Sequence, residues 1–106
     1  MDTQSRKMLA FTLLAHKSRN RQQEQGELRF LILTGIAACN AGYPQVAERC
    51  YSRCLEISPH HLLSRYESLS EALKTEEFQI FASRLDRFCT FEHAELLLET
   101  HQPDWE

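Results

Sequence analysis

Apolar residues recur every three to four positions along most of the chain, which is the period of a helix with one buried face. The clearest stretch is 28–61, where two apolar stripes are separated by residues 41–44 and closed by Ser58-Pro59. Gly42 suits the left-handed end of a first helix, and Pro44 suits the first turn of a second. The stripes are Leu28, Leu31, Ile32, Gly35, Ala38 and Cys39, and then Val46, Ala47, Cys50, Tyr51, Cys54 and Leu55. The pattern predicts an antiparallel helical hairpin.

A further helix is predicted before the hairpin, from about Thr3 to Arg19. Its apolar stripe consists of Met8, Phe11, Leu14 and Ala15, widened by Leu9 and Leu13. Residues 20–26 are wholly polar, and Gly26 favours a break before helix two. An alternative is that these polar residues form a solvated first turn of helix two. Helix two should reach Asn40, and helix three should run from about Tyr43 to Ile57.

Shorter helices are predicted after Pro59. A short helix should cover His60 to Tyr66, and Ser68 with Glu71 has the spacing of a capping box that opens another. Thr75 followed by two acidic residues marks the start of a helix that reaches about Cys89. Thr90 opens the last helix, which should end near Thr100. Residues 101–106 form a tail, in which we expect Trp105 to dock on the body.

The composition favours an all-α protein over other fold classes. The chain has 106 residues with only three Gly and three Pro, and 42% of the residues are hydrophobic. It lacks alternating runs of β-branched residues, so strands are not expected. We predict one helical domain at 1–100 and a tail at 101–106. No apolar run approaches the ~18 residues that a membrane span needs, and we expect a cytoplasmic location with no membrane partner.

Charge is divided unevenly between the two halves of the chain. The residues through Cys54 contain eight Lys or Arg and four Asp or Glu, a net charge of +4. The residues from Leu55 onward contain four and eleven, a net charge of −7. The division helps the halves to pack, or it presents a basic and an acidic end to different partners. The acidic half opposes binding to a polyanion, so a nucleic-acid partner is not expected.

Residues 28–61 resemble a tetratricopeptide repeat. That family's pattern is Trp-x-x-Leu-Gly-x-x-Tyr, then Ala-x-x-x-Phe, then Pro. The corresponding residues of this chain have the same spacing. The matching positions are Leu31, Thr34, Gly35, Ala38, Ala47, Tyr51 and Pro59. The first aromatic residue and the tyrosine of the pattern are replaced here by Leu31 and Ala38. The resemblance implies close helix packing at Gly35 and Ala47, and antiparallel hairpins stacked in a short right-handed superhelix with capping helices.

The resemblance also implies a function and a binding face. Such repeats bind a peptide or partner helix on a concave face lined by the first helix of each unit. Ile32 and Ile36 stand where some members clasp a terminal carboxylate with Lys and Asn, so an apolar segment is the expected ligand. An alternative is that the chain's own helices cover Ile32 and Ile36. The implied binding residues are Arg29, Ile32, Ile36, Asn40, Leu63 and Tyr66.

Two other kinds of function remain open from the sequence. Cys50 and Cys54 lie one helical turn apart, which would allow a metal- or redox-responsive protein, although buried packing explains both residues more simply. Self-association through exposed repeat edges would give a homo-oligomer. Enzyme activity is not expected, because no histidine falls in a recognisable nucleophile motif. The prediction is therefore a protein-interaction module that binds a protein or peptide partner without a metal or cofactor.

Overall fold

Every regular element in the described part of the chain is helical. The computed structural model describes the backbone of residues 2–100 and the side chains of residues 2–97, so the tail at 101–106 with Trp105 lies outside it. The helices are α1 (Thr3–Asn20), α2 (Glu24–Ala41), α3 (Pro44–Ile57), α4 (Leu69–Ala72), α5 (Glu76–Phe88) and α6 (Phe91–Thr100), with a 3₁₀ turn at Leu62–Arg65. The predicted all-α class is confirmed. Within residues 2–100, no helix combines the length and apolar character needed to cross a membrane.

The turns of the central hairpin follow the predicted chemistry. Gly42 ends α2 with a φ of 86°, a left-handed conformation that glycine adopts without strain. Pro44 is the first residue of α3, where its missing N–H is not needed. The short connection makes α2 and α3 antiparallel neighbours, as predicted.

The connection between α1 and α2 is short. Only residues 21–23 leave the helices, and Gly26 lies inside the first turns of α2. A Cβ on Gly26 would stand 3.0 Å from the Ser18 hydroxyl oxygen. The predicted break is therefore present but lies three residues before Gly26, and residues 24–26 form the first turn of α2, as the alternative held. Gly26 itself serves the close approach of α1 and α2.

The short elements after α3 begin with side-chain caps. Ser68 Oγ accepts a hydrogen bond from the Glu71 N–H (3.1 Å), as the capping-box spacing predicted. Thr75 Oγ1 accepts from the Phe78 N–H (3.3 Å), and Thr90 Oγ1 accepts from the His93 N–H (3.2 Å). The predicted helix at 60–66 is instead a 3₁₀ turn of four residues, opened by His61.

The core forms where the later elements fold back on the hairpin. A Cβ on Gly35 would overlap Leu69 Cδ2 and would stand 3.4 Å from Cys50 Cβ, so α2 is approached closely by both α3 and α4. Ala47 is also buried, and it lines a surface pocket together with Leu69. The largest fully buried side chains are Phe78, Ile32, Leu63, Leu69, Thr34 and Cys54.

The first and last helices of the described chain meet. The Arg6 guanidinium pairs with the Glu95 carboxylate at 3.1 Å and lies 5.6 Å above the Phe91 ring centre. These contacts bring α6 onto α1, so the later helices wrap around α2. The stacking of hairpins as a tetratricopeptide-like superhelix stays a prediction.

Candidate functional site

The six residues of the predicted binding face have very different surroundings. Arg29 and Asn40 are exposed and Ile36 is half-buried, whereas Ile32 is 1% exposed and Leu63 is 0% exposed. Ile32 and Leu63 belong to the core cluster that includes Phe78 of α5. They were therefore assigned wrongly to an accessible surface, because the elements after α3 cover this side of α2. The alternative that the chain's own helices cover the face holds for Ile32.

Tyr66 is held within the fold by several contacts. Its backbone carbonyl accepts a hydrogen bond from the Tyr51 hydroxyl, which joins α3 to the segment before α4. Its ring meets the Phe78 ring edge-on, with 6.1 Å between the ring centres. Tyr66 is half-buried, and through these contacts it packs within the fold rather than forming part of an open surface.

Arg29 is exposed but already has a partner. Its guanidinium lies 4.6 Å above the centre of the Phe88 ring, a distance typical of a cation–π contact. Phe88 is itself 48% exposed, and its ring centre is 6.4 Å from that of Phe30. Arg29 therefore helps to hold the end of α5 against α2.

Ile36 and Asn40 line a groove between α1, α2 and α5, which we term the α1–α2–α5 groove. Its volume is about 460 Å³. Phe11, Leu33 and Ala37 form a buried apolar floor, and Ile36 reaches farther toward the solvent. The remaining lining residues are Gln4, Lys7, Asn40, Ala82, Ser83, Asp86 and Arg87. The groove thus combines an apolar base with charged and amide groups at its edges.

A second groove, between α1, α2 and α3, was not anticipated from the sequence. This α1–α2–α3 groove has a volume of about 500 Å³. Its lining residues are Met8, Leu9, Thr12, Ala15, His16, Arg19, Glu27, Leu31, Thr34, Val46, Arg49, Cys50 and Arg53. The sequence feature that could have indicated this groove is the width of the apolar stripe on α1. Leu9 and Leu13, which were assigned to that stripe, are 46% and 39% exposed.

Cys50 and Cys54 are packed as apolar side chains. They are 6% and 0% exposed, and burial raises the pKa of Cys50 to about 11 and that of Cys54 to about 12. Metal ligation and redox chemistry need the thiolate, which burial disfavours at these positions. Within the described residues, no group of three or more His, Cys, Asp or Glu side chains is arranged to hold a metal ion. The geometry therefore favours a packing role for this pair.

His61 has a structural role at the start of the 3₁₀ turn. Its Nδ1 accepts a hydrogen bond from the Leu63 N–H at 3.1 Å, and its ring meets the Phe81 ring edge-on. Burial lowers the pKa of His61, which keeps the imidazole neutral so that Nδ1 can accept this bond. The side chain of His61 therefore caps the backbone at the start of the 3₁₀ turn.

Comparison with known proteins found no similar protein family, curated protein or solved structure.

Proposed function

We propose that this chain is a non-enzymatic protein-interaction module that binds a peptide or a partner helix in the α1–α2–α5 groove. The observation that supports this function is the half-buried Ile36 above an apolar floor, in an open groove of about 460 Å³. Ligand pockets generally have volumes of ~300–1,000 Å³ and pair apolar walls with a few polar groups. This groove has both properties.

The edges of the groove suit a peptide better than a wholly apolar ligand. Asn40 and Gln4 carry amide groups that can donate to and accept from a peptide backbone. Lys7 and Arg87 supply positive charge, and Asp86 supplies negative charge, so a ligand with charges of both signs could be held in one register. An apolar anchor residue of the ligand would contact Ile36.

The experiment is a peptide selection followed by titration. A displayed random-peptide library is panned against the full chain, and the enriched peptides are titrated against wild type, Ile36→Glu and Ile80→Glu. Ile80 is the matched control, because it is 51% exposed on α5 and lies outside the groove lining. We expect Ile36→Glu to weaken binding about tenfold or more, equivalent to ~1.4 kcal/mol, and Ile80→Glu to leave it unchanged.

A second variant separates loss of binding from loss of folding. Asn40 is exposed at the C-terminal end of α2, so Asn40→Lys should preserve the thermal unfolding transition seen by circular dichroism. It should nevertheless weaken the enriched peptides severalfold. Equal affinity of these peptides for wild type, Ile36→Glu and Asn40→Lys would refute the proposed groove.

A further inference from the structure

We propose that the α1–α2–α3 groove is a docking site for an acidic amphipathic helix of a partner protein. This groove and the α1–α2–α5 groove are separate surfaces with different lining residues. The inference does not depend on the function proposed above.

The shape of this surface matches a helix. Met8 and Arg19 are eleven positions apart on α1, so the groove is ~17 Å long at the rise of an α-helix, or about three turns. The α2 residues Glu27, Leu31 and Thr34 recur at helical spacing along its base, and Val46 to Arg53 of α3 form the opposite wall. A three-turn helix laid between two helical walls is a recurrent mode of recognition.

One part of the groove presents apolar surface to solvent. Leu9 is 46% exposed, and Met8, Leu31 and Val46 are half-buried beside it in the same groove. A contiguous apolar patch with a polar rim is typical of a protein-binding surface, whereas isolated exposed leucines are common and carry no such meaning. The apolar face of a partner helix would cover these four side chains.

The charge of the groove selects an acidic ligand. Its lining contains Arg19, Arg49 and Arg53, and Glu27 is the one acidic residue among its lining residues. Both Glu27 carboxylate oxygens already accept hydrogen bonds from Arg53, at 2.8 and 3.2 Å, and this side chain is only 5% exposed. Glu27 and Arg53 therefore neutralise each other, which leaves the lining with a net charge of +2 from Arg19 and Arg49.

Arg19 and Arg49 are available for a ligand. Both side chains are exposed, and neither forms an ion pair with another residue in the described part of the chain. Carboxylates of a bound helix would supply the missing partners, and the planar guanidinium groups can bind them through two hydrogen bonds each.

A second copy of this chain is a poorer occupant than a partner protein. The acidic half of the chain contains the amphipathic helices α5 and α6, but their apolar faces already pack in the core through Phe78, Leu85 and Ala94. The large apolar side chains that these helices expose, among the described residues, are Ile80 and Phe88 of α5 and Leu96 of α6. Ile80 and Phe88 are eight positions apart, and Phe88 already contacts Arg29 and Phe30, so neither helix offers the continuous apolar face that would cover the four apolar residues of the groove.

The test uses a displayed library of four-turn helices panned against the full chain. The solvent-facing positions are fixed as Glu, and the apolar face is varied among Leu, Ile, Val, Phe and Met. A matched library with Lys in place of Glu is panned in parallel. We expect enrichment from the Glu library at least tenfold above that from the Lys library, with affinity that falls as salt is raised. No enrichment from the Glu library, or equal enrichment from both libraries, would overturn the proposal.

Variants then place the selected helices on the molecule. Leu9→Glu should weaken binding about tenfold and Arg49→Glu about threefold or more, whereas Ile80→Glu and Ile36→Glu should leave it within twofold of wild type. Leu9 and Arg49 are exposed, so both variants should fold. Unchanged affinity for Leu9→Glu would overturn the proposal. A dimer that Leu9→Glu abolishes in sedimentation equilibrium would overturn it in favour of a second copy of the chain. An oligonucleotide that displaces the selected helices would overturn it in favour of a nucleic acid.

Discussion

The central hairpin and the second half of this molecule begin their helices in different ways. The Asp2 carboxylate caps α1 by accepting a hydrogen bond from the Ser5 N–H (2.8 Å), but α2 and α3 of the hairpin start at Gln23 and Tyr43 without a hydrogen bond from a capping side chain. In the second half, side chains cap every described element, and these caps are His61, Ser68, Thr75 and Thr90. The contrast in burial is clearest between α2, which has 18 residues and buries nine of them, and the 3₁₀ turn and α4, which have four residues each and bury one and two. Packing can replace a cap only where the helix is long enough to pack extensively.

Small side chains support the packing of the hairpin. Ala38 and Cys54 are fully buried, and Gly35 leaves room for Leu69 and Cys50. The backbones of α2 and α3 can therefore approach each other closely. The comparison predicts that core changes should be costly in both regions, whereas changes at helix starts should be costly in the second half but not in the hairpin.

The largest expected effect is that of Phe78→Ala. Phe78 is fully buried between Tyr66 and Phe81, so its removal leaves a cavity, and we expect a loss of ~3–5 kcal/mol in the free energy of unfolding. Urea unfolding followed by circular dichroism measures it. Phe88→Ala on the same helix is the control, and should cost much less because Phe88 is 48% exposed. If Phe78→Ala lowers the free energy of unfolding no more than the removal of a cap does, the caps rather than the core would account for the stability of the second half.

Gly35→Ala should have an intermediate effect. The new methyl group would overlap Leu69 Cδ2, and overpacking of this kind costs ~1–3 kcal/mol, partly offset by a gain of ~1 kcal/mol in helix propensity. We expect a net destabilisation of up to ~2 kcal/mol. In a Leu69→Val background the overlap is relieved, so a double-mutant cycle should show the penalty disappear. Stabilisation by Gly35→Ala in the wild-type background would show that α4 does not press on this glycine.

The smallest effects separate the two kinds of helix start. Thr75→Ala removes the side-chain acceptor for the Phe78 N–H and should cost ~1 kcal/mol. Gln23→Ala at the start of α2 should cost little, because Gln23 makes no capping hydrogen bond. Thermal unfolding of both variants beside wild type gives the comparison. Equal losses at the two positions would contradict the difference between the hairpin and the second half.

Local signals accounted for most of the secondary structure. The capping residues Ser68, Thr75 and Thr90, together with Gly42 and Pro44, act through their own neighbours in sequence, so their positions could be predicted from the chain alone. Gly26 could not be interpreted in this way. The glycine at this position is explained by its close approach to the Ser18 hydroxyl on the preceding helix, which is a tertiary contact.

The candidate sites depended on contacts between distant parts of the chain. Periodicity correctly indicated that Ile32 faces inward, but it could not tell whether that side of α2 would be an open concave face or a covered core. The return of α5 across α2 decides this, and it leaves Ile36 and Asn40 lining a groove while Ile32 and Leu63 are buried. Leu9 shows the opposite case, because its apolar character predicted burial and no described helix covers it fully.

The contact between Arg6 and Glu95 bears on how the molecule could change its size over evolution. A linear array of repeats can gain or lose a unit at either end, since each unit touches only its neighbours. Here α6 returns to α1, so a hairpin inserted between them would separate Arg6 from Glu95 and uncover the surface that these two helices share. The described helices are therefore expected to tolerate such an insertion less well than a linear array does.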